Sequence, residues 1–351
     1  MKVGAAPGPD DGELIAGRYL IARELGRGGM GHVYLARDQK LGRNVALKML
    51  PAEITHDAEL RRRLAQEARA ASALSHPGVA TVFDYVEEGG ESFIVFEFVE
   101  GRTLREEMAS HRFATEEILD VGMQLADALA YAHEHGVVHR DLKPENIMLT
   151  PHSGSRGRTK ILDFGLAKLA RPISQAASAG IASAETATIS TAAGLLVGTV
   201  NYMSPEQAAM QPADARSDIY SLGLVLYELA AGVNPFVGQS PTSTIANIIK
   251  VEPPPVTERN PVAPPELDRI LRKCLRKRAD ERYQSSRELL VDLSNLRDDS
   301  KTPASPSVPK NDLREMERPL EISRGLARGL VGAIQVGYLA MYVTALMKSS
   351  E

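Results

Sequence analysis

Between Tyr19 and Phe98 apolar and polar residues alternate. Val33, Leu35, Val45 and Leu47 fall at period-two positions, which predicts half-buried strands. One stretch breaks the alternation. Glu59 to Leu74 reads ELRRRLAQEARAASAL, and its Ala, Leu and Arg content favours a helix. His76-Pro77-Gly78 then stops it, because Pro and Gly continue a helix poorly. From Leu104 onward the period becomes helical, and Ile118 to His135 and Ser217 to Ala231 are expected as two long helices. A strand-rich first part followed by a helical second part predicts an α+β chain.

Three segments depart from this pattern. Residues 1–17 are expected as a flexible lead-in, with no apolar run that would make a secretory signal. Ala170 to Val197 is an Ala/Ser/Thr stretch with few large apolar residues, expected to bury little surface. Residues 298–324 begin polar and Pro-rich, which reads as a linker. Beyond it, Gly329 to Met347 carries no charge.

Composition narrows the classes. The 351 residues are 43% hydrophobic and 25% charged, ordinary for a folded protein. A net charge of −4 argues against nucleic acid as a partner. The single cysteine, Cys274, excludes a disulfide framework and fits a reducing setting.

Candidate chemistry sits in three short motifs. The first is Gly26-Arg27-Gly28-Gly29-Met30-Gly31. Glycines let backbone lie close to a phosphate. A dinucleotide-binding loop would be followed by a helix. Here Val33-Tyr34-Leu35-Ala36 reads as a strand and Lys48 follows, which favours a hairpin over ATP. A purely structural glycine turn is the alternative. The second motif is His139-Arg140-Asp141-Leu142-Lys143-Pro144-Glu145-Asn146. It gathers a carboxylate to orient a hydroxyl, a cation for a moving phosphate and an amide oxygen for a metal. The third is Asp163-Phe164-Gly165, whose carboxylate suits Mg²⁺. His133, His135 and His139 invite a zinc reading. No cysteine is near them, and the first two point to different helix faces. A helix end with a turn at Gly136 is expected instead.

With these motifs in order, Tyr19 to Leu296 resembles the eukaryotic-like (Hanks-type) serine/threonine protein kinases of bacteria. The resemblance extends to Gly198-Thr199-Val200-Asn201-Tyr202-Met203-Ser204-Pro205-Glu206, to Ser217-Asp218-Ile219-Tyr220-Ser221-Leu222-Gly223 and to Arg282. It implies a bilobal kinase fold over 18–297, with a small β-rich lobe to about residue 98 and a larger helical lobe after it. It implies protein substrates and ATP, with Mg²⁺ or alternatively Mn²⁺. By the same resemblance Gly26, Gly28 and Gly31 cover the phosphates. Lys48 contacts the α- and β-phosphates and pairs with Glu67. Val33, Ala46 and Met148 sandwich the adenine. Phe96 is the gatekeeper, and the backbone from Glu97 to Val99 is the hinge. Asp141 and Lys143 are catalytic, and Asn146 and Asp163 hold the metal. Asp218 and the Arg282–Glu206 pair are structural supports. Lys143 and Thr199 belong to the Ser/Thr branch. Departures are Ser204 where the family has Ala, and a long segment from Asp163 to Glu206.

Regulation and location follow as expectations. Arg140 calls for an anion, which in this family is a phosphate on the activation segment. The candidates are Thr186, Thr188, Ser190 and Thr191, with Thr191 favoured by its spacing before Thr199. Gly329 to Met347 would span about 28 Å as a helix, close to the ~30 Å core of a membrane. A transmembrane helix is therefore expected over 325–348. Arg318, Arg324 and Arg328 before it place the catalytic part in the cytoplasm. A buried soluble helix is the alternative. Gly325, Gly329, Ala333 and Gly337 recur every four residues and suggest a homodimer through the span, if not through the kinase domain. Two further readings compete: a pseudokinase scaffold, and a membrane sensor for which this chain is a fragment or carries only an anchor.

Overall fold

The structure, a computed structural model, describes residues 12–28, 31–51, 57–151, 157–164 and 200–301. The first compact unit ends at Lys301. The expected linker and transmembrane helix lie outside the described residues, as do Thr186, Thr188, Ser190, Thr191 and Thr199. No helix among the described residues is long and apolar enough to cross a membrane.

The first lobe is an antiparallel sheet packed on one helix. Its strands are β1 (Leu14–Ile15), β2 (Tyr19–Gly28), β3 (Gly31–Asp38), β4 (Arg43–Met49), β5 (Val82–Glu88) and β6 (Glu91–Glu97), in spatial order β1-β2-β3-β4-β6-β5. The helix α1 (Ala58–Ser72) starts at Asp57, whose carboxylate accepts from the Glu59 and Leu60 N–H groups. β1 corrects the expected lead-in. Ile15 is buried with Tyr19, Ile21 and Tyr34, so the fold begins before residue 17.

The register sets the faces of β3 and β4. Tyr34 pairs with Leu47 and Ala36 with Val45, whereas Val33 pairs with Lys48 and Leu35 with Ala46. Val33 and Leu35 therefore lie on the opposite face from Val45 and Leu47. The sequence shows alternation in each strand; the pairing sets which phase faces which side. Val45 and Leu47 join one apolar cluster. The other face carries Val82, Ile94 and Phe96 onto Leu60, Leu64 and Ala71 of α1.

The second lobe is helical. It comprises α2 (Leu104–Ser110), α3 (Thr115–Glu134), α4 (Pro205–Ala208), α5 (Ala215–Ala231), α6 (Pro241–Lys250), α7 (Val256–Arg259), α8 (Pro265–Cys274) and α9 (Ser286–Lys301). A small sheet, β7 (Arg102–Thr103), β8 (Ile147–Thr150) and β9 (Arg158–Ile161), lies beside them. α5 is buried on every side from Ser217 to Tyr227, as expected of a helix at the centre of a core. Gly223 lets α8 close on it, since a Cβ there would sit 2.5 Å from Cys274 Cβ.

One buried ion pair ties α4 to the far end of this lobe. Arg282 is 2% exposed. Its guanidinium donates to both Glu206 oxygens at 2.8 Å and to the carbonyls of Arg276, Arg216 and Lys277. All five N–H groups are thereby used. Ser217 Oγ donates to Glu206 Oε1 at 2.6 Å. Burial opposes ionisation of Glu206, but the bonds from Arg282 prevail and hold its carboxyl below the usual range. A depressed carboxyl stabilises the fold above its ordinary value of 4.5, and that contribution is lost as pH falls through the lower folded value. Glu206→Gln is expected to cost about 3 kcal/mol at pH 7. In urea titrations this deficit should shrink below pH 4.5. A deficit that stays constant from pH 7 to pH 3.5 would contradict the assignment.

Candidate active site

The roof of the site is the β2–β3 hairpin and the face of the sheet that carries Val33, Ala46 and Lys48. Gly26 pairs with Val33 and Gly28 with Gly31, so these glycines lie on paired antiparallel strands. Gly31 has a φ of 111°, and a Cβ there would lie 2.0 Å from the Met49 carbonyl oxygen. Glycine is thus required at Gly31 for the hairpin to close over β4. Ala46 lies opposite Phe96, which is buried against α1. Met148 is half-buried on β8, paired with Lys160. At the end of β6 both Glu97 oxygens accept from Lys160 Nζ at 2.7 Å. Half-buried Val99 follows.

Lys48 is 4% exposed. Its ammonium lies 2.7 Å from Asp163 Oδ2. Glu67, the partner expected from the resemblance, stands on α1. A buried ammonium needs a counter-charge at contact, and Asp163 supplies it from the opposite lobe.

The floor is the loop from His139 to Asn146. Lys143 Nζ donates to Asp141 Oδ2 at 2.7 Å. A single 3₁₀ turn, Pro144–Asn146, brings the chain back. Asn146 Nδ2 then donates to the Asp141 carbonyl at 2.8 Å and to Asp141 Oδ2 at 3.2 Å. Both amide hydrogens point at Asp141, which leaves the Asn146 side-chain oxygen as an acceptor. Leu162 N–H donates to the Asn146 carbonyl at 2.8 Å, so Asp163 follows directly beside Asn146. An amide oxygen and a carboxylate side by side are hard donors that fit Mg²⁺. Among the described residues no cluster of three or more His, Cys, Asp or Glu forms a metal site.

Two residues of this floor hold left-handed backbone without being glycine: Arg140 at φ 67° and Asp163 at φ 59°. Such a conformation persists only where surroundings impose it. At Arg140 the imposing group is Asp218 on α5, which is fully buried. Asp218 Oδ2 accepts from the His139 N–H at 2.8 Å and Oδ1 from the Arg140 N–H at 2.7 Å. His133 Nε2 donates to Oδ2 at 2.8 Å. Burial opposes ionisation of Asp218, but the bond from His133 leads the effects that hold its carboxyl below the usual range. His139 is buried too. Its Nδ1 accepts from the Asp141 N–H, so Nε2 carries the hydrogen donated to the Leu162 carbonyl at 2.7 Å. Phe164 meets the His139 ring edge-on at 4.8 Å.

The structure brings Asp141, Lys143, Asn146 and Asp163 together. The sequence reading missed the histidines. His133, through its ring, and His139, through its backbone N–H, both serve Asp218. The only local signal was a histidine in the last turn of α3, 85 residues from its partner.

Comparison with known proteins agrees with this geometry. Residues 19–291 match the family described as "Protein kinase domain". The chain belongs to the protein kinase family. It is 40% identical over 284 residues to a probable serine/threonine-protein kinase, SCO3848, of Streptomyces coelicolor, covering 80% of this chain and 40% of that one. Identity to the serine/threonine-protein kinase PrkC of Bacillus subtilis is 38%, over 82% of this chain and 42% of that one. Identity to PknB of Mycolicibacterium smegmatis is 37%, over 84% and 45%. The chain thus spans under half the length of these relatives. Among solved structures, the kinase domain of Mycobacterium tuberculosis PknI (a double mutant) superposes with a TM-score of 0.64 at 27% identity, over 83% of this chain and 100% of that one.

Asp218→Asn tests the anchoring of the kinase floor. An amide has one acceptor oxygen where three donors now converge. Stability should fall by about 1–3 kcal/mol and the turnover rate by roughly 10–100-fold through misplacement of Asp141. Unchanged turnover with a folded protein would show that the loop keeps its geometry without the carboxylate.

Proposed function

We propose that the chain transfers the γ-phosphate of ATP to serine or threonine hydroxyls of proteins. The observation that carries this reading is the convergence of Asp141, Lys143, Asn146, Asp163 and Lys48 in one place. In this reading Asp141 orients the acceptor hydroxyl and takes its proton. Lys143, in contact with it, offsets negative charge on the moving phosphoryl group. Lys48 holds the α- and β-phosphates, and the hairpin of Gly26, Gly28 and Gly31 covers them. Val33, Ala46 and Met148 flank the adenine beside the Glu97–Val99 backbone. Mg²⁺, or Mn²⁺ in its place, neutralises phosphate charge when bound, and Asn146 and Asp163 are its ligands. A pseudokinase would lack one of these groups, and each is present.

The reading extends to regulation. The chain phosphorylates its own activation segment, with Thr191 favoured over Thr186, Thr188 and Ser190, and the phosphate pairs with Arg140. The test is transfer of labelled phosphate from Mg²⁺-ATP to a serine/threonine peptide library. Wild-type protein should label it, and Asp141→Asn should be slower by about 10²–10⁴-fold. Lys48→Met should fall similarly, for loss of phosphate positioning. Mass spectrometry should find phosphate between residues 170 and 197 in wild-type protein and none in Asp141→Asn. Near wild-type transfer by Asp141→Asn would sink the catalytic assignment.

The reading also includes a membrane anchor at 325–348, with the kinase domain in the cytoplasm and two chains paired through the small-residue stripe. What supports it is the uncharged run from Gly329 to Met347, preceded by Arg318, Arg324 and Arg328 and followed by Lys348 alone among basic residues. Full-length protein should sediment with membranes and need detergent for release, while a chain ending at Lys301 should stay in the supernatant. Full-length protein in the supernatant without detergent would remove the anchor and its dimer.

A further inference from the structure

Gln207, on α4 just past the activation segment, is buried and bridges two parts of the chain. Its Oε1 accepts from the Ser204 N–H at 3.0 Å. The Ser204 hydroxyl accepts in turn from the Gln207 N–H at 3.3 Å. This reciprocal cap starts α4. The other end of the side chain is not used in the cap. Gln207 Nε2 donates to the Arg140 carbonyl at 2.7 Å, across 67 residues of sequence.

That carbonyl belongs to the peptide unit that leads into Asp141. The N–H of the same unit donates to His139 Nδ1 at 3.2 Å. The preceding N–H, of Arg140, is held by Asp218 at 2.7 Å. The peptide plane carrying the Asp141 Cα is therefore fixed at its nitrogen by the loop's own histidine and at its oxygen by Gln207. Rotation of that plane is the simplest way to swing the Asp141 carboxylate. Arg140 sits in left-handed backbone, so the plane has a reason to rotate once released.

We propose that Gln207 is a positioning residue for Asp141, locking the peptide plane before it to the end of the activation segment. The inference rests on the phosphotransfer reading above. It adds a coupling: whatever places α4 also sets the orientation of the carboxylate that handles the acceptor hydroxyl. Gln207 touches neither substrate nor nucleotide in this role, so its removal acts on turnover rather than on binding.

The two ends of the side chain can be separated. Gln207→Glu keeps an acceptor for the Ser204 N–H but sets a carboxylate oxygen against the Arg140 carbonyl. Ser204→Ala loses the hydroxyl half of the cap and leaves the Arg140 link in place. Turnover and KM are measured for both at a temperature where melting curves show each fully folded. Gln207→Glu should lower kcat about tenfold or more, with KM for ATP and peptide within about twofold of wild type. Ser204→Ala should lower Tm yet keep kcat within about twofold. Should Gln207→Glu not fold, Gln207→Met removes the donor without burying a charge and should show the same kcat loss. A kcat within twofold of wild type in a folded Gln207 variant overturns the proposal. So does a kcat loss in Ser204→Ala equal to that of the Gln207 variants, which would make the cap alone responsible. A wild-type chain that transfers no phosphate would instead refute the proposed function, a result distinct from both.

Discussion

The carboxylate of Asp218 is the constraint on which the catalytic floor depends. It stands on the most buried helix among the described residues and accepts three hydrogen bonds from groups 78 to 85 residues away in sequence. A full charge in such a place is costly unless donors surround it. Here they do, and two of them are backbone N–H groups of the loop that carries Asp141. The desolvation of one carboxylate is thereby offset by the ordering of a whole loop. The strained backbone at Arg140 follows from the same bonds, since no local preference would hold a non-glycine residue there.

From this anchor the geometry propagates outward. His139, fixed by its N–H on Asp218, passes the constraint along its ring to the Leu162 carbonyl and so to the strand end before Asp163. Asn146 and Lys143 close around Asp141 from the other side. The opposite lobe is reached through the ion pair of Lys48 with Asp163, and again through that of Glu97 with Lys160. The carboxylates that would meet hydroxyl and metal are thus supported by bonds to rigid elements.

Much of this was legible in the sequence, for local reasons. Hairpins, the long helices and the three motifs depend on residues close in the chain, where period and spacing are visible. Asp141, Lys143 and Asn146 lie within six positions and were read as a unit. The two-residue strand at Leu14 was not, because it is too short to show a period; Ile15 is kept by burial and by its pairing with Tyr19. The phase of β3 against β4 was not, because alternation fixes a face only relative to a partner strand. Least visible were the long-range bonds. His133 with Asp218, and Lys48 with Asp163, are choices among several charges of the right sign. Only the packing of the helices and lobes decides which ones come within reach.

The central claim is that Asp218 fixes the loop before Asp141 as firmly as the core itself. Amide hydrogen exchange at His139 and Arg140 tests it most directly. Both N–H groups should exchange as slowly as the amides at the middle of α5, at the limit set by global unfolding. Exchange at the rate of exposed loops, faster by orders of magnitude, would show that the carboxylate does not hold the loop and would contradict the account.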